Sequence, residues 1–497
     1  MNQHWMEVAA PDDADKYKRS LCRFMAWKEG RSYSFTEKGQ VKVEDPYPFE
    51  HEFTSDELAS IMPLHICKWM CLIVYNNPDP QKNDLPTKGS RNTLLYHKKA
   101  LSYFMPNQLQ QWDERANENQ HNGNPTKSKD VNKLIGLVKK METRGLGRES
   151  NADRPWEPEE FAASIRIISS IGNTIERTLY ALLFTYQAHM IARLDDVMKL
   201  RKNWIKMHPD FDFCLQTKLP WSKTVTDPRE SPWQIVVGGD DWQLDAILNF
   251  AKYLELECAR GVCRESDLVF VEVGDTPKRA KDCARSKLKT RVIQNTEFQQ
   301  IFAQSGRAAH SGARHAKAKL GAHSYRKYGK LKARRSGNCT KDDTDYRGRW
   351  KDMSHASSVY DDTFLPIPDA KVAFELAHGG AIKYKLREGR GLSNTWICHE
   401  VTPNIAAVYG SNMATTLGKA LLWACFDRRA TSSVDKHLLE RIAEAYQSHL
   451  EINHDAGNAD GVNGDPMNPV VKKKLILVER NGQAILQEVR ELQIAAE

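Results

Sequence analysis

Apolar residues recur at helical spacing along most of the chain, and the places where that spacing lapses divide it. The first clear pattern begins at Thr54. Thr54, Ser55, Asp56 and Glu57 form a capping sequence, and Leu58, Ile61, Met62, Ile66 and Met70 follow as an apolar stripe. A loop rich in Pro, Asn and Asp over 76–86 precedes a second predicted helix over 93–105, and a short lysine-bearing helix is predicted over 131–140. Polar stretches at 117–129 and 144–155 flank this last helix, and the second has the composition of an interdomain linker. Beyond Pro155, Leu, Ile, Ala and Met recur with helical period over 159–171, 175–187 and 190–200. The period then shortens, so that 211–223 and 233–238 read as two strands joined by a polar loop containing Asp227, Pro228, Arg229 and Glu230. Helical patterning resumes over 245–256 and continues, with interruptions, through 298–302 and into a basic segment. After Pro366 come an apolar helix over 414–426, an amphipathic helix over 434–452 and a Gly/Asn/Asp-rich loop over 454–468. Two strands then flank Asn481-Gly482, a dipeptide suited to a tight hairpin turn.

The expected fold class is mainly α with a small β-sheet (α+β). The expected domains are an arm over 1–50 with no assigned activity, a helical domain over 51–150, a mixed domain over 151–366 and a helix-plus-hairpin region over 367–497. For the last, subunit contacts are one reading and packing on its own domain is the other.

Composition narrows the function class. Of 497 residues, 40% are hydrophobic and 27% charged, and no apolar run reaches the ~20 residues of a bilayer span, so no membrane partner is expected. Residues 1–20 mix Asp, Lys and Glu without an apolar stretch, which predicts an intracellular protein without a secretory signal. The ten cysteines form no C-x-x-C pair and are expected to be reduced. The formal net charge of +8 is concentrated: residues 314–335 hold Arg314, Lys317, Lys319, Arg326, Lys327, Lys330, Lys332, Arg334 and Arg335 and no acid. The rest of the chain is nearly neutral. Such a run is a solvated face, a nuclear-import signal or a polyanion contact.

Several chemistries lack their residues. No phosphate-binding G-x-x-x-x-G-K-[ST] occurs, and Gly145-Leu146-Gly147 is followed by Ser150 where a third glycine would be needed. His399-Glu400 would open a zinc-protease helix, but Pro403 stands where the second histidine belongs. No metal and no cofactor are expected. An ordered set of residues remains: Arg193-Leu194-Asp195-Asp196 between helices, Trp221-Ser222-Lys223 after a strand, His323-Ser324-Tyr325-Arg326 in the basic segment, Arg347-Gly348-Arg349-Trp350, and Tyr360 ten residues beyond Trp350.

This order resembles the catalytic domain of the tyrosine recombinases, the phage-integrase-like family. There an Arg with an acid three residues on, a hairpin Lys, H-x-x-R, a His or Trp and a Tyr recur in sequence. The string Leu219-Pro220-Trp221-Ser222-Lys223 and the segment 92–106 resemble the eukaryotic crypton branch, which is carried by mobile elements. The resemblance implies a helical core-binding domain at 51–150 followed by a tyrosine-recombinase catalytic domain at 151–366. It implies catalytic roles for Arg193, Lys223, His323, Arg326, Trp350 and Tyr360, with Asp196 orienting Arg193 or His323. Lys218 is the rival to Lys223 as general acid. Arg314, Lys317, Lys319, Lys327, Lys330 and Lys332 would contact DNA phosphates, which dominate affinity but carry little sequence information. The implied partner is double-stranded DNA, bound by a homo-tetramer on two duplexes in the nucleus.

The implied chemistry is coherent. Two guanidiniums present bidentate forks to a phosphate whose charge spreads over its non-bridging oxygens during transfer. A tyrosine hydroxyl with pKa ~10 needs that cationic help to act as a nucleophile. A lysine can protonate the departing oxygen. The expected function is therefore site-specific strand cleavage and rejoining through a 3′-phosphotyrosine, independent of metal and ATP, in mobile-element integration or excision. The alternatives are a domesticated DNA-binding protein without catalysis and a type IB topoisomerase.

Overall fold

The computed structural model describes residues 11–31, 47, 51–114, 123–148, 153–209, 214–221, 231–239, 241–261, 267–270, 277–308, 319–350, 367–377, 392–427, 429–459, 471–480 and 483–492. The chain divides into two compact units, Met1–Asn151 and Ala152–Glu497. It is mainly helical with small antiparallel sheets.

The first unit contains α1 (Pro11–Lys28), α2 (Pro63–Tyr75), α3 (Arg91–Phe104) and α4 (Lys129–Thr143). Its core joins Leu21, Phe24 and Met25 to Ile66, Trp69, Leu94, Leu101, Val131 and Val138. Residues 11–28, read above as part of an arm, thus contribute a helix to this core, and Phe24 meets the edge of Trp69 at 5.2 Å. The stripe expected to run unbroken from Thr54 to Met70 is two helices. Thr54 caps a short helix, Ser55–Ala59, and Met62 is extended (φ −101°, ψ 154°) before α2 starts at Pro63. A proline ring disfavours the helical conformation of the residue before it, so the helix has to restart.

The second unit is built around α6 (Thr174–His189), whose residues from Thr178 to His189 are all buried. Around it lie α5 (Pro158–Ser169), α7 (Leu194–Met198), α8 (Ala246–Ala259), α9 (Pro277–Lys287), α10 (Thr296–Ala308) and α11 (Ala322–Arg335). Asp245 caps α8 by accepting from the Leu248 N–H at 2.8 Å. Helix α11 lies close against α6. A Cβ on Gly329 would fall 2.1 Å from the carbonyl oxygen of Ala188, so no side chain fits there without parting the helices.

The expected helix over 190–200 is interrupted. Ile191 takes the left-handed conformation (φ 44°), and Arg193 is extended before α7 begins. A sheet of three strands follows: β1 (Ile205–Met207), β2 (Cys214–Thr217) and β3 (Gln234–Val237), antiparallel in that order, with Ile205 opposite Thr217 and Gln216 opposite Ile235. The sequence pattern missed β1, three residues of which only Ile205 is fully buried.

Helices α12 (Lys341–Arg347) and α13 (Ile367–Leu376) follow α11. Then come α14 (Pro403–Tyr409), α15 (Ser411–Phe426) and α16 (Lys436–Ala459). Leu417, Leu421, Leu439 and Ile442 share one core cluster with Phe184 and Leu248. The division into units places no boundary at 366, and the C-terminal helices are part of the packing of the second unit. The hairpin expected around Asn481-Gly482 pairs β4 (Val471–Arg480) with β5 (Gln483–Leu492), Arg480 facing Gln483. No helix among the described residues is long and apolar enough to cross a membrane.

Candidate phosphate-binding site

Two chain reversals bring Arg193, Asp196, His323, Arg326 and Trp350 together. At the first, Gln187 near the end of α6 donates from Nε2 to the carbonyls of Ala322 (2.9 Å) and Ala192 (3.3 Å). One buried amide thus ties the residue before Arg193 to the residue before His323. At the second, α12 ends in the Arg347-Gly348-Arg349-Trp350 turn, which lies against α11.

Arg193 precedes α7 and keeps about a quarter of its side chain exposed. Its N–H donates to Asp196 Oδ2 at 3.4 Å, and its Nη1 lies 3.9 Å from the same oxygen. Asp196 itself is buried. Sequence spacing alone yields this pairing, because a residue at the N-terminus of a helix and the residue three further on meet across its first turn.

Arg326 is buried on α11 and donates from Nη2 to the Gly348 carbonyl at 3.0 Å. Its guanidinium lies over the Trp350 ring at 4.5 Å, and Lys330, one turn on, lies over the same ring at 4.1 Å. Trp350 is therefore a shelf for two cations, a contact favoured by the negative face of the indole. Gly348 is required here, since a Cβ would fall 1.9 Å from the Trp350 ring. Burial pushes the Arg326 pKa down to about 10, and Arg193 and Arg349 push it the same way while Asp196 opposes them. Arg326 thus feels two like charges and one opposite charge, and an added anion would relieve it.

His323 is exposed in the first turn of α11. Its pKa is lowered by partial desolvation of the ring and by Arg326, Arg285 and Arg193, with Asp153 acting the other way. Arg193, Asp196, His323, Arg326 and Trp350 therefore form one electropositive cluster.

Lys223, Tyr360, Arg314 and Lys317 lie outside the described residues. Lys218 follows β2 with its Nζ 5.1 Å from the centre of the Trp233 ring, on which Lys206 also sits at 4.3 Å. Of the basic segment, Lys319 and Lys327 are exposed, and Lys327 also donates to the Asp153 carbonyl. Lys330 pairs with Asp345 besides covering Trp350. Lys332 is half-buried, with its pKa lowered to about 8 by desolvation. From Ala322 to Arg335 the segment is therefore not a uniform row of free cations: it is an amphipathic helix with part of its charge turned inward. Among the described residues no group of three or more His, Cys, Asp or Glu could hold a metal ion.

Residue-by-residue reading overlooked a buried bracket behind this cluster. Arg347 donates from Nε to the His189 carbonyl (2.7 Å) and from Nη2 to the Ile235 carbonyl (2.6 Å), and its Nη1 pairs with Asp369 at 2.7 Å. Asp369 also accepts the Ile235 N–H at 2.5 Å. Gln234 on β3 donates to the Arg347 carbonyl at 2.7 Å and accepts from Arg349 Nη1 at 2.6 Å. The ends of α6 and α12, strand β3 and helix α13 are locked together by two arginines. The signal was present as Arg347-Gly348-Arg349, two arginines bracketing a glycine, but nothing in the sequence marks an arginine as buried.

No family model matches the chain, and no curated protein matches it significantly. Among solved structures it is similar to the Flp recombinase–Holliday junction complex, at 15% identity and a TM-score of 0.34 over 74% of this chain and 93% of that one. For a Flpe–Holliday junction complex the values are 14% and 0.34 over 84% and 98%. For the XerH site-specific recombinase bound to difH in a pre-cleavage complex they are 13% and 0.27 over 71% and 98%. A functional assignment for this chain therefore stands on its own residues.

Proposed function

We propose that the protein cleaves and rejoins DNA strands at specific sites through a covalent phosphotyrosine, and that it does so as a recombinase. The observation that supports this best is the buried guanidinium of Arg326, donating to the Gly348 carbonyl over the Trp350 ring, repelled by two other arginines and attracted by one carboxylate, beside the quarter-exposed fork of Arg193. Such an arrangement is stabilised by an anion with several oxygens, as a phosphodiester is. Arg193 and Arg326 clamp the non-bridging oxygens of the scissile phosphate. His323, its pKa lowered by desolvation and by its cationic neighbours, accepts or relays a proton beside them. The hydroxyl of Tyr360 attacks phosphorus, forming the Tyr–O–P bond and releasing its proton to the medium or to His323. The P–O5′ bond breaks, and the leaving 5′ oxygen takes a proton from Lys223, or from Lys218. Attack by a 5′ hydroxyl on the phosphotyrosine reverses these steps and joins the strands. The bond energy is conserved in the ester, so neither a metal nor a nucleotide is consumed.

The assembly assigned with this function is a homo-tetramer on two duplexes. The proposed setting is a mobile element of crypton type acting in the nucleus, with exposed Lys319 and Lys327 among the phosphate contacts.

The test is trapping of the adduct. A library of nicked duplexes is incubated with the full chain, and covalent protein–DNA species are isolated on denaturing gels, sequenced and mapped by mass spectrometry. The expected adduct is a 3′-phosphotyrosine on Tyr360, absent from Tyr360→Phe, which still binds duplex within a few fold. An adduct on Tyr346, or one that persists in Tyr360→Phe, overturns the nucleophile. Binding without any adduct supports the non-catalytic DNA-binding protein, and relaxation by a monomer without strand exchange supports a topoisomerase.

A further inference from the structure

Arg349 is an unusual place to keep a charge. Its side chain is buried, and its backbone is in the left-handed region (φ 54°), which disfavours any residue with a Cβ. Burial costs a guanidinium its hydration, and the backbone adds strain that glycine would not have. Both costs would vanish if residue 349 were glycine. Such outliers persist where the surroundings over-determine them, and they cluster at functional sites.

The surroundings do over-determine it. Nη1 donates to Gln234 Oε1 at 2.6 Å and to the Arg347 carbonyl at 3.3 Å. Gln234 is itself buried and held by donating to that same carbonyl, so the amide cannot swing away without freeing both arginines. Arg347 is matched by Asp369. The strongest charge acting on Arg349 is Asp196, the carboxylate that also sits behind Arg193. Arg349 in turn repels Arg326.

Resting on the phosphoryl-transfer reading above, we propose that Arg349 is a positioning residue of the phosphate pocket: fixed by Gln234 on β3, it engages Asp196 from the buried side so that Arg193 and Arg326 face the phosphate with their charge uncancelled. A single carboxylate between two arginines would neutralise half of the clamp. A third guanidinium behind the carboxylate restores the excess. The effect grows during reaction, because the phosphoryl group bears more negative charge in the transition state than in the bound diester. Arg349 should therefore act on the rate of cleavage far more than on the affinity for duplex.

The experiment compares the full chain with Arg349→Met, Arg349→Lys and Arg349→Gly on the duplex identified by adduct mapping. It follows single-turnover adduct formation, duplex binding by anisotropy, and thermal stability. Arg349→Met should slow adduct formation by roughly 10²-fold with duplex affinity within a few fold, as removal of one preorganised charge-stabilising group does. Arg349→Lys should recover most of the rate. Arg349→Gly, which relieves the backbone, should melt no earlier than Arg349→Met yet be equally slow. On a duplex with a methylphosphonate at the scissile position, which lacks the oxyanion charge, the wild type and Arg349→Met should react at nearly the same rate. Unaltered cleavage by Arg349→Met, or a defect of the same size on the methylphosphonate, overturns the proposal.

If the wild type forms no adduct with any duplex, the phosphoryl-transfer reading fails, and orthovanadate as a probe decides the pocket separately. Stabilisation of the wild type and Arg349→Lys by orthovanadate, but not of Arg349→Met, upholds Arg349 as part of an anion site. Equal response of all three, or none, refutes it.

Discussion

Asp369→Ala should loosen the second unit more than any surface change, because it leaves a buried cation without its counter-charge. Arg347 and Asp369 are 0% and 2% exposed and approach to 2.7 Å. At an effective dielectric of about 20, the Coulomb attraction at such a distance is roughly 6 kcal/mol, most of which offsets the desolvation of the two charges. Removing one partner therefore does not cost the whole attraction. It strands the other ion, at about 3–5 kcal/mol. The alanine also deprives the Ile235 N–H of its acceptor, so the value should fall at the upper end of that range. Asp369→Asn keeps an acceptor oxygen and should cost about half as much. The double replacement Arg347→Met with Asp369→Leu removes both charges together and should be less harmful than Asp369→Ala alone. Chemical and thermal denaturation of the full chain read these values, and for a unit of this size about 4 kcal/mol corresponds to a melting shift of roughly 5 °C. Below the transition the alanine variant should still bind duplex but form adduct slowly, since β3 and the Trp350 turn are no longer locked together. A loss under about 1 kcal/mol, or a double variant worse than Asp369→Ala, would show that the bracket does not hold the site.

Two further outcomes follow from single positions. Gly348→Ala should expel the Trp350 ring from beneath Arg326, because the new Cβ would stand 1.9 Å from it; slower adduct formation with an altered tryptophan emission is the expected readout, and wild-type cleavage would contradict the shelf. Lys252→Met concerns pH: Lys252 is fully buried, donates to Ser433 Oγ at 3.1 Å, and is driven by burial down to a pKa of about 7. The unfolded chain holds that proton up to about pH 10 and the folded one releases it near 7, so stability rises with pH between these limits. Lys252→Met should remove that rise, as denaturation across pH 6–10 would show.

The periodic parts of the fold were legible in the sequence because burial and period coincide there. The apolar period of 175–187 and of 245–256 are examples, as are the strands around Asn481-Gly482. What escaped the pattern was set by non-local partners. Helix 11–28 carries its apolar residues among charges and is a core element only because Trp69 and Met70 receive them. Strand β1 is three residues long and exists because β2 pairs with it. In the candidate site, the cations were visible as residue types in an order, and so was the acid three residues after Arg193. That Lys330 and Lys332 turn partly inward, and that Arg347 and Arg349 are buried, depends on carbonyls and carboxylates supplied from β3, α6 and α13, at separations that no local spacing encodes.

These misses share a location. The two non-glycine residues of the second unit with positive φ among those described, Ile191 and Arg349, stand two residues before Arg193 and one before Trp350. Each departure from regular backbone ends a helix and turns a candidate side chain, Arg193 or Trp350, toward the cluster. Ile191 is fully buried in a small core with Ala333, Cys339, Val372 and Leu376, against which Trp350 packs, so the strain of one reversal is held by the packing that supports the other. A straight helix through 190–200 would have satisfied local propensity better and carried Arg193 away from Arg326. The site exists because tertiary packing overrides helical continuity at both reversals, which is also why its geometry could not be read from the period of the chain alone.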